Sequence, residues 1–136
     1  MRRLPRPALK IMIYDCFIFY DEFTLLDIRL AELGDVVDKF VLCECNYTFS
    51  GRKKPLYFSE NMDRYERWKE KLIPLVCHIE RPDSDRWVNE RNQRNAIGDF
   101  LKQSCEPDDL VILTDADEIP KANAVRLANM NKVRGR

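Results

Sequence analysis

Histidine is nearly absent from this chain: among 136 residues there is one, His78. Zinc sites and catalytic triads that need several imidazoles are therefore excluded in practice. Glycine is scarce too, at four residues, and neither a Walker loop nor a G-x-G-x-x-G run occurs. The common glycine cradles for phosphate are thus missing. Neither sign of charge is in excess, with 23 Lys+Arg against 23 Asp+Glu, so there is no electrostatic case for a nucleic-acid or anionic-membrane partner. No apolar run reaches the roughly 20 residues that a membrane helix needs. The five cysteines, Cys16, Cys43, Cys45, Cys77 and Cys105, contain no C-x-x-C and no regular spacing, unlike a disulfide framework. Cys43, Cys45 and Cys77 stand in apolar runs, where cysteine behaves as a small buried hydrophobe. Reduced thiols and a cytoplasmic location are the expectation.

What is present argues for a folded chain. Hydrophobic residues make up 45% and charged residues 34% of 16.2 kDa, enough for one domain or part of a larger one. Arg2, Arg3 and Arg6 followed by the run from Ile11 to Tyr20 imitate a signal peptide. Asp15 interrupts that run, Asp21 and Glu22 close it, and no small-residue cleavage site follows, so a buried strand is the better reading. Asn46-Tyr47-Thr48 matches the N-glycosylation pattern, which matters only in a secreted chain.

Apolar runs and helical periods alternate along the sequence. Lys10 to Tyr14 reads as a strand, and Val36 to Glu44 as a second, too continuous to be wet on one face. Between them Leu26, Leu30 and Leu33 recur at helical spacing, with Thr24 and Asp27 as a capping box and Gly34 as the stop. The loop from Asn46 to Phe58 carries Gly51, Arg52, Lys53, Lys54 and Pro55, and a helix is predicted from about Asn61 to Leu72, ended by Pro74. Leu75 to Ile79 is the third strand, and Pro82, Asp83 and Ser84 introduce a helix from about Asp85 to Gln103. Leu110 to Thr114 is the fourth strand, followed by a helix from Ile119 to about Met130, with Pro120 in its first turn. This order predicts an α/β fold: a mostly parallel sheet of about four strands with helices on both faces. Residues 1–9 are expected to be a flexible basic terminus, 10–131 the folded unit and 132–136 a frayed tail.

Open parallel sheets bind ligands outside the carboxyl ends of their strands. Those ends carry Asp15, Glu44, the segment after Ile79, and Asp115, Asp117 and Glu118. Carboxylates converging on one edge repel unless a cation neutralises them, and hard oxygen ligands of this kind suit Mg²⁺ or Mn²⁺. Asp115 and Asp117 flank one small residue, so an extended backbone points both to one face. A solvated acidic turn or a helix N-cap is the plainer alternative. The apolar stripe Ile97, Phe100, Leu101 extrapolates backward onto Arg94, Gln93 and Glu90, which turns the core-facing side polar towards the ligand edge. Arg94 can pair with a phosphate, or with Asp115 as a bridge that only shapes the loop. Trp87 is read as a lid on the core, His78 as a hydrogen-bonded core residue, and Lys53 and Lys54 as a solvated loop face. With no glycine cradle, a diphosphate would be neutralised mainly by metal and side chains.

Several stretches together resemble glycosyltransferase family 17. They are Ile13-Tyr14-Asp15-Cys16-Phe17, Leu26-Asp27-Ile28-Arg29-Leu30, Val36-Val37-Asp38 through Glu44, and Thr48-Phe49-Ser50-Gly51 with Lys54-Pro55-Leu56-Tyr57-Phe58. Glu60-Asn61, Glu90-Arg91, Gln93-Arg94-Asn95-Ala96-Ile97 and Asp115-Ala116-Asp117-Glu118-Ile119-Pro120 continue the likeness in order. The resemblance implies a glycosyltransferase A-type, Rossmann-like fold in which a UDP-sugar, UDP-N-acetylglucosamine by family, is bound through a divalent cation and transferred to a glycan acceptor. It implies that Asp117 holds Mn²⁺ or Mg²⁺, that Asp115 contacts the ribose, the metal or a metal-bound water, that Asp15 and Glu44 line the nucleoside pocket, and that Arg94 supports the acidic motif. The family inverts, which requires a carboxylate base at the acceptor hydroxyl. Complete members run well past the acidic motif, and their anchored forms sit in the Golgi membrane. This chain is therefore expected to be the donor-binding half, without anchor or base, weakly active alone and prone to self-association through an open sheet edge. A non-catalytic nucleotide-binding remnant, or an assembly partner completed by another chain, is the rival reading. An aspartyl phosphatase is disfavoured, because Ile119 and Pro120 follow where that class wants Thr or Val.

Overall fold

The computed structural model describes residues 10–134. The expected flexible terminus, 1–9, and the last two residues of the expected tail lie outside them. Strand β1 (Ile13–Ile18) leads to helix α1 (Phe23–Leu33) and β2 (Lys39–Cys45), followed by the short α2 (Tyr57–Glu60) and a 3₁₀ segment, Met62–Trp68. Then come β3 (Leu72–Cys77), α3 (Arg86–Ser104), β4 (Leu110–Leu113) and α4 (Ala122–Arg134). The four strands form one parallel sheet in the order β3-β2-β1-β4, a Rossmann-like arrangement. The direction of strand addition reverses between β1 and β4, so the sheet has a switch point at that pair.

Side-chain alternation splits the core into two layers. Ile13, Phe17, Phe40 and Leu42 point to one face, where Leu26, Leu30 and Leu33 of α1 and Val125 of α4 cover them. Tyr14, Cys16, Val41 and Cys43 point to the other, beneath Ile97 and Phe100 of α3. Each such leucine or phenylalanine contributes about 1.5–3 kcal/mol relative to exposure. Burial also pushes the Cys16 and Cys43 thiols up to about 12, and all five cysteines are free. The outer strand β4 leaves Val111 and Leu113 exposed. Among the described residues no helix is long and apolar enough to cross a membrane.

Several sequence expectations are corrected. β1 starts later than expected and runs on to Ile18, because Asp15, read as the strand's end, is neutralised inside it. The helix expected over 61–72 is replaced by α2 and the 3₁₀ segment, kinked at Tyr65. Packing of Tyr65 on Phe58, with ring centres 5.4 Å apart, prevails there over helical period. Pro74 lies inside β3 in register with Leu42, which an outer strand tolerates because one side of its ladder is unused. The capping box of α1 does not form: the Asp27 carboxylate accepts from the Tyr65 hydroxyl at 3.0 Å instead. His78 falls just beyond β3 and is exposed rather than in the core, and Trp87 is exposed rather than a lid. α4 continues past Met130 to Arg134, through part of the expected tail.

Gly34 ends α1 for a reason other than backbone freedom. Its conformation is ordinary right-handed helix, but an added Cβ would stand 2.5 Å from the Trp68 ring and 2.7 Å from the Leu30 carbonyl oxygen. Gly34→Ala is therefore expected to cost about 1–3 kcal/mol through overpacking, seen as a lower urea midpoint. An unchanged midpoint would show that Trp68 can retreat freely.

Candidate functional site

A cavity of about 620 Å³ opens at the carboxyl edge of the sheet, where parallel-sheet proteins place ligands. The segment after β1 supplies Phe19, Tyr20 and Glu22 to its wall. The β2–α2 loop supplies Thr48, Phe49, Arg52 and Lys54, while the first half of α3 supplies Arg86, Glu90, Gln93 and Arg94. Asp115, Ala116 and Asp117, directly after β4, complete it at the switch point. The polar continuation of the α3 stripe thus faces the cavity, as the helical period implied.

The acidic turn has two unlike members. Asp115 accepts from Arg94 Nη2 at 3.2 Å, and Arg94 also lies 3.7 Å from Glu90 Oε1. The Asp115 backbone N–H donates to Glu118 Oε1 at 3.0 Å and the Glu118 N–H returns to the Asp115 carbonyl at 2.9 Å. Glu118 is thereby spent on the turn. The Asp117 side chain, by contrast, makes no hydrogen bond or ion pair among the described residues, and Asp117 is exposed at the cavity wall.

Asp15 and Glu44 do not line this cavity, contrary to the expected nucleoside pocket; both are fully buried. Asp15 takes a bidentate pair from Arg29, Nε to Oδ2 at 2.6 Å and Nη2 to Oδ1 at 2.8 Å. Arg29 spends its remaining donors on the turn: Nη1 reaches the carbonyls of Asp115, Ala116 and Glu118 at 3.2–3.3 Å, and Nη2 the Thr114 hydroxyl. A buried ion pair behind the acidic motif therefore fixes its backbone. Glu44 accepts from the N–H groups of Phe58 and Ser59 at 2.9 and 2.8 Å and from the Ser59 hydroxyl at 2.8 Å. It anchors the segment that ends the β2–α2 loop.

Lys54 is likewise corrected, from solvated loop to buried cavity wall. Its ammonium donates to the carbonyls of Cys45 and Pro55 at 2.7 and 2.8 Å. It also lies 5.4 and 5.3 Å from the ring centres of Tyr20 and Tyr57, which stack on each other. Burial lowers its pKa, and the charge of Glu44 opposes that shift. Asn46, the glycosylation-pattern residue, has its amide tied to the Ile79 backbone at both ends.

The sequence comparison decides the family, since the family model of glycosyltransferase family 17 matches residues 3–133. The chain belongs to that family. It is 38% identical over 111 residues to the human β-1,4-mannosyl-glycoprotein 4-β-N-acetylglucosaminyltransferase and to its rat counterpart, and 37% identical to the mouse protein. The match covers 76% of this chain and 21% of each relative, so the chain spans about a fifth of their length. No solved structure matches it. In this family-17 chain the two aspartates and Arg94 share one cavity, while Asp15 and Glu44 act from behind it. Arg29 and Arg86 are site residues that sequence reasoning did not single out, and Lys54 is one that it assigned to a solvated loop face.

Among the described residues no group of three or more His, Cys, Asp or Glu side chains is placed to enclose a metal ion. The cavity instead offers one unengaged carboxylate, Asp117, beside Asp115. That donor set fits Mg²⁺ or Mn²⁺, which take one or two carboxylates and fill their other positions with water and substrate phosphate.

Proposed function

We propose that this cavity binds the diphosphate of a UDP-sugar beside a divalent cation, as the donor site of an N-acetylglucosaminyl transfer to a glycan. What carries the reading is the position of Asp117, without a hydrogen-bond or ion-pair partner among the described residues, at the switch point of a family-17 sheet, in a cavity that Arg94 and Arg52 also line. Asp117 is the cation's ligand and Asp115 its neighbour, oriented by Arg94. Mn²⁺ or Mg²⁺ held there would supply the positive charge that a departing diphosphate needs. Arg52, Arg86 and Lys54 add positive charge to a wall that lacks a glycine cradle. In an inverting transfer the base belongs near the acceptor hydroxyl, and no carboxylate described above is assigned that role.

Calorimetric titration of UDP tests this directly. Affinity is expected to rise tenfold or more on adding Mn²⁺, about 1.4 kcal/mol, and that increment is expected to vanish in Asp117→Ala with folding unchanged. UDP binding indifferent to both metal and substitution would remove the donor-site reading and leave an assembly role.

A further inference from the structure

We propose that Cys45 and Cys77 form a redox-active dithiol that closes to a disulfide when a low-molecular-weight disulfide enters the cavity. The two residues are direct partners in the parallel ladder of β2 and β3, at its carboxyl end. Partners in adjacent strands lie about 4.8 Å apart, inside the 4.4–6.8 Å that disulfides span. Direct partners also project to the same face of a sheet, here the face that α3 covers: Cys43, two residues before Cys45, and Cys77 both pack in that layer. In the reduced chain each thiol has an acceptor of its own, Cys45 Sγ donating to Asn46 Oδ1 at 3.6 Å and Cys77 Sγ to the Asn92 carbonyl at 3.9 Å.

The pair is also chemically unequal. The neighbouring Cys77 thiol lowers the Cys45 thiol pKa against the opposing effect of burial, with help from backbone hydrogen bonds of Tyr47 and Asn46 and the charge of Lys54. The neighbouring Cys45 and burial push the Cys77 thiol up. Cys45 lines the cavity through which a reagent arrives and is the attacking thiolate, with Cys77, on the neighbouring strand, the resolving thiol. Cys16 and Cys43, held up to about 12 by burial, are not competitors.

In the exchange, Cys45 Sγ attacks one sulfur of the reagent, whose S–S bond breaks and releases one thiolate. That thiolate takes up a proton equivalent to the one Cys45 had lost. Cys77 then gives up its proton and attacks Cys45 Sγ in the mixed disulfide, and the second reagent thiolate departs and is protonated. Two electrons pass from the protein pair to the reagent, which ends as two thiols. The bond would staple the base of the β2–α2 loop, next to Asn46 and the carbonyl that holds Lys54, to the outer strand.

The test is to incubate the fully reduced chain with hydroxyethyl disulfide, without oxygen, and map the products by mass spectrometry. The expected product is lighter by about 2 Da, with the Cys45 and Cys77 peptides joined and Cys16 and Cys43 still free. Its rate of formation is expected to be half-maximal below the ordinary thiol value of 9.0. Cys77→Ser is expected to stop at a stable adduct on Cys45. Adducts without a crosslink, a crosslink through any other cysteine, or a rate that rises only around the ordinary thiol value would each overturn the proposal. The wild-type product and its pH profile decide the matter even if the variant folds poorly.

Discussion

Replacing Arg29 with methionine is expected to lower folding stability by about 3–5 kcal/mol, because it leaves the Asp15 carboxylate buried without its counter-charge. Both side chains are wholly inside the protein, and among the described residues the guanidinium is the only charge paired with Asp15. Urea unfolding reads the loss as a shift in midpoint at unchanged slope. The double variant Asp15→Leu/Arg29→Met separates two roles. Apolar replacement of a buried pair is often close to neutral, so most of the stability is expected to return. The carbonyls of Ala116 and Glu118 still lose the guanidinium donor in that variant, and that of Asp115 is left with the Glu118 N–H. Mn²⁺-dependent UDP affinity is therefore expected to stay impaired in the double variant. A single variant as stable as wild type would refute the stabilising role, and a double variant with restored UDP affinity would refute the positioning role.

The arrangement gives a physical account of why an α/β chain carries a charge in the middle of its first strand. A turn that presents aspartates to a cavity exposes successive carbonyls on its other side, and these need donors. A buried arginine supplies five in one rigid fork, and its charge then requires an anion within reach. Asp15, one strand over from β4 and in register with Ile112, is that anion. The motif at the surface and the pair beneath it are thus one construction.

Part of this was legible in the sequence. Leu110 to Leu113 followed by Asp115-Ala116-Asp117 marks a strand that delivers acids to a sheet edge, and the helical period of Ile97, Phe100 and Leu101 carries Arg94 to the same edge. Asp15 and Glu44 were misplaced because a carboxylate near a strand end is ambiguous: alternation decides whether it faces core or cleft, and β1 runs three residues past Asp15. Arg29 left a signal that pattern reading passed over. It sits three residues after Leu26 and four before Leu33, on the buried stripe of α1, where an unmatched cation cannot remain. An acid interrupting an apolar strand and a base interrupting an apolar stripe are each anomalous alone and consistent as a pair. Lys54 left no such trace, since the aromatic rings that bury it come from Tyr20, far away in sequence, and Tyr57.

Glu44→Gln is the other substitution expected to act strongly, at about 3 kcal/mol. Glutamine keeps the size of the side chain but presents an NH₂ group where one carboxylate oxygen now accepts. It must face either the Phe58 N–H or the pair of donors on Ser59. Donor then meets donor around a side chain closed off from solvent, and the charge-assisted bonds that remain are weakened. The loss is expected to depend on pH through Lys54. Burial already depresses the Lys54 pKa below 10.5, and Glu44 opposes that depression, so removing the carboxylate charge depresses it further. Across the window between the folded and unfolded lysine values the unfolded chain binds more protons, and stability contributed by this group rises with pH. The penalty for burying the charged ammonium is therefore complete below the window and gone above 10.5. The deficit of Glu44→Gln relative to wild type should be widest near neutrality and narrow as the solution becomes alkaline. Paired urea titrations near neutral pH and near the lysine value measure it, with the buried thiols cancelling between the two proteins. A deficit that grows with pH, or none at all, would mean that the segment from Lys54 to Ser59 is held by its aromatic packing instead.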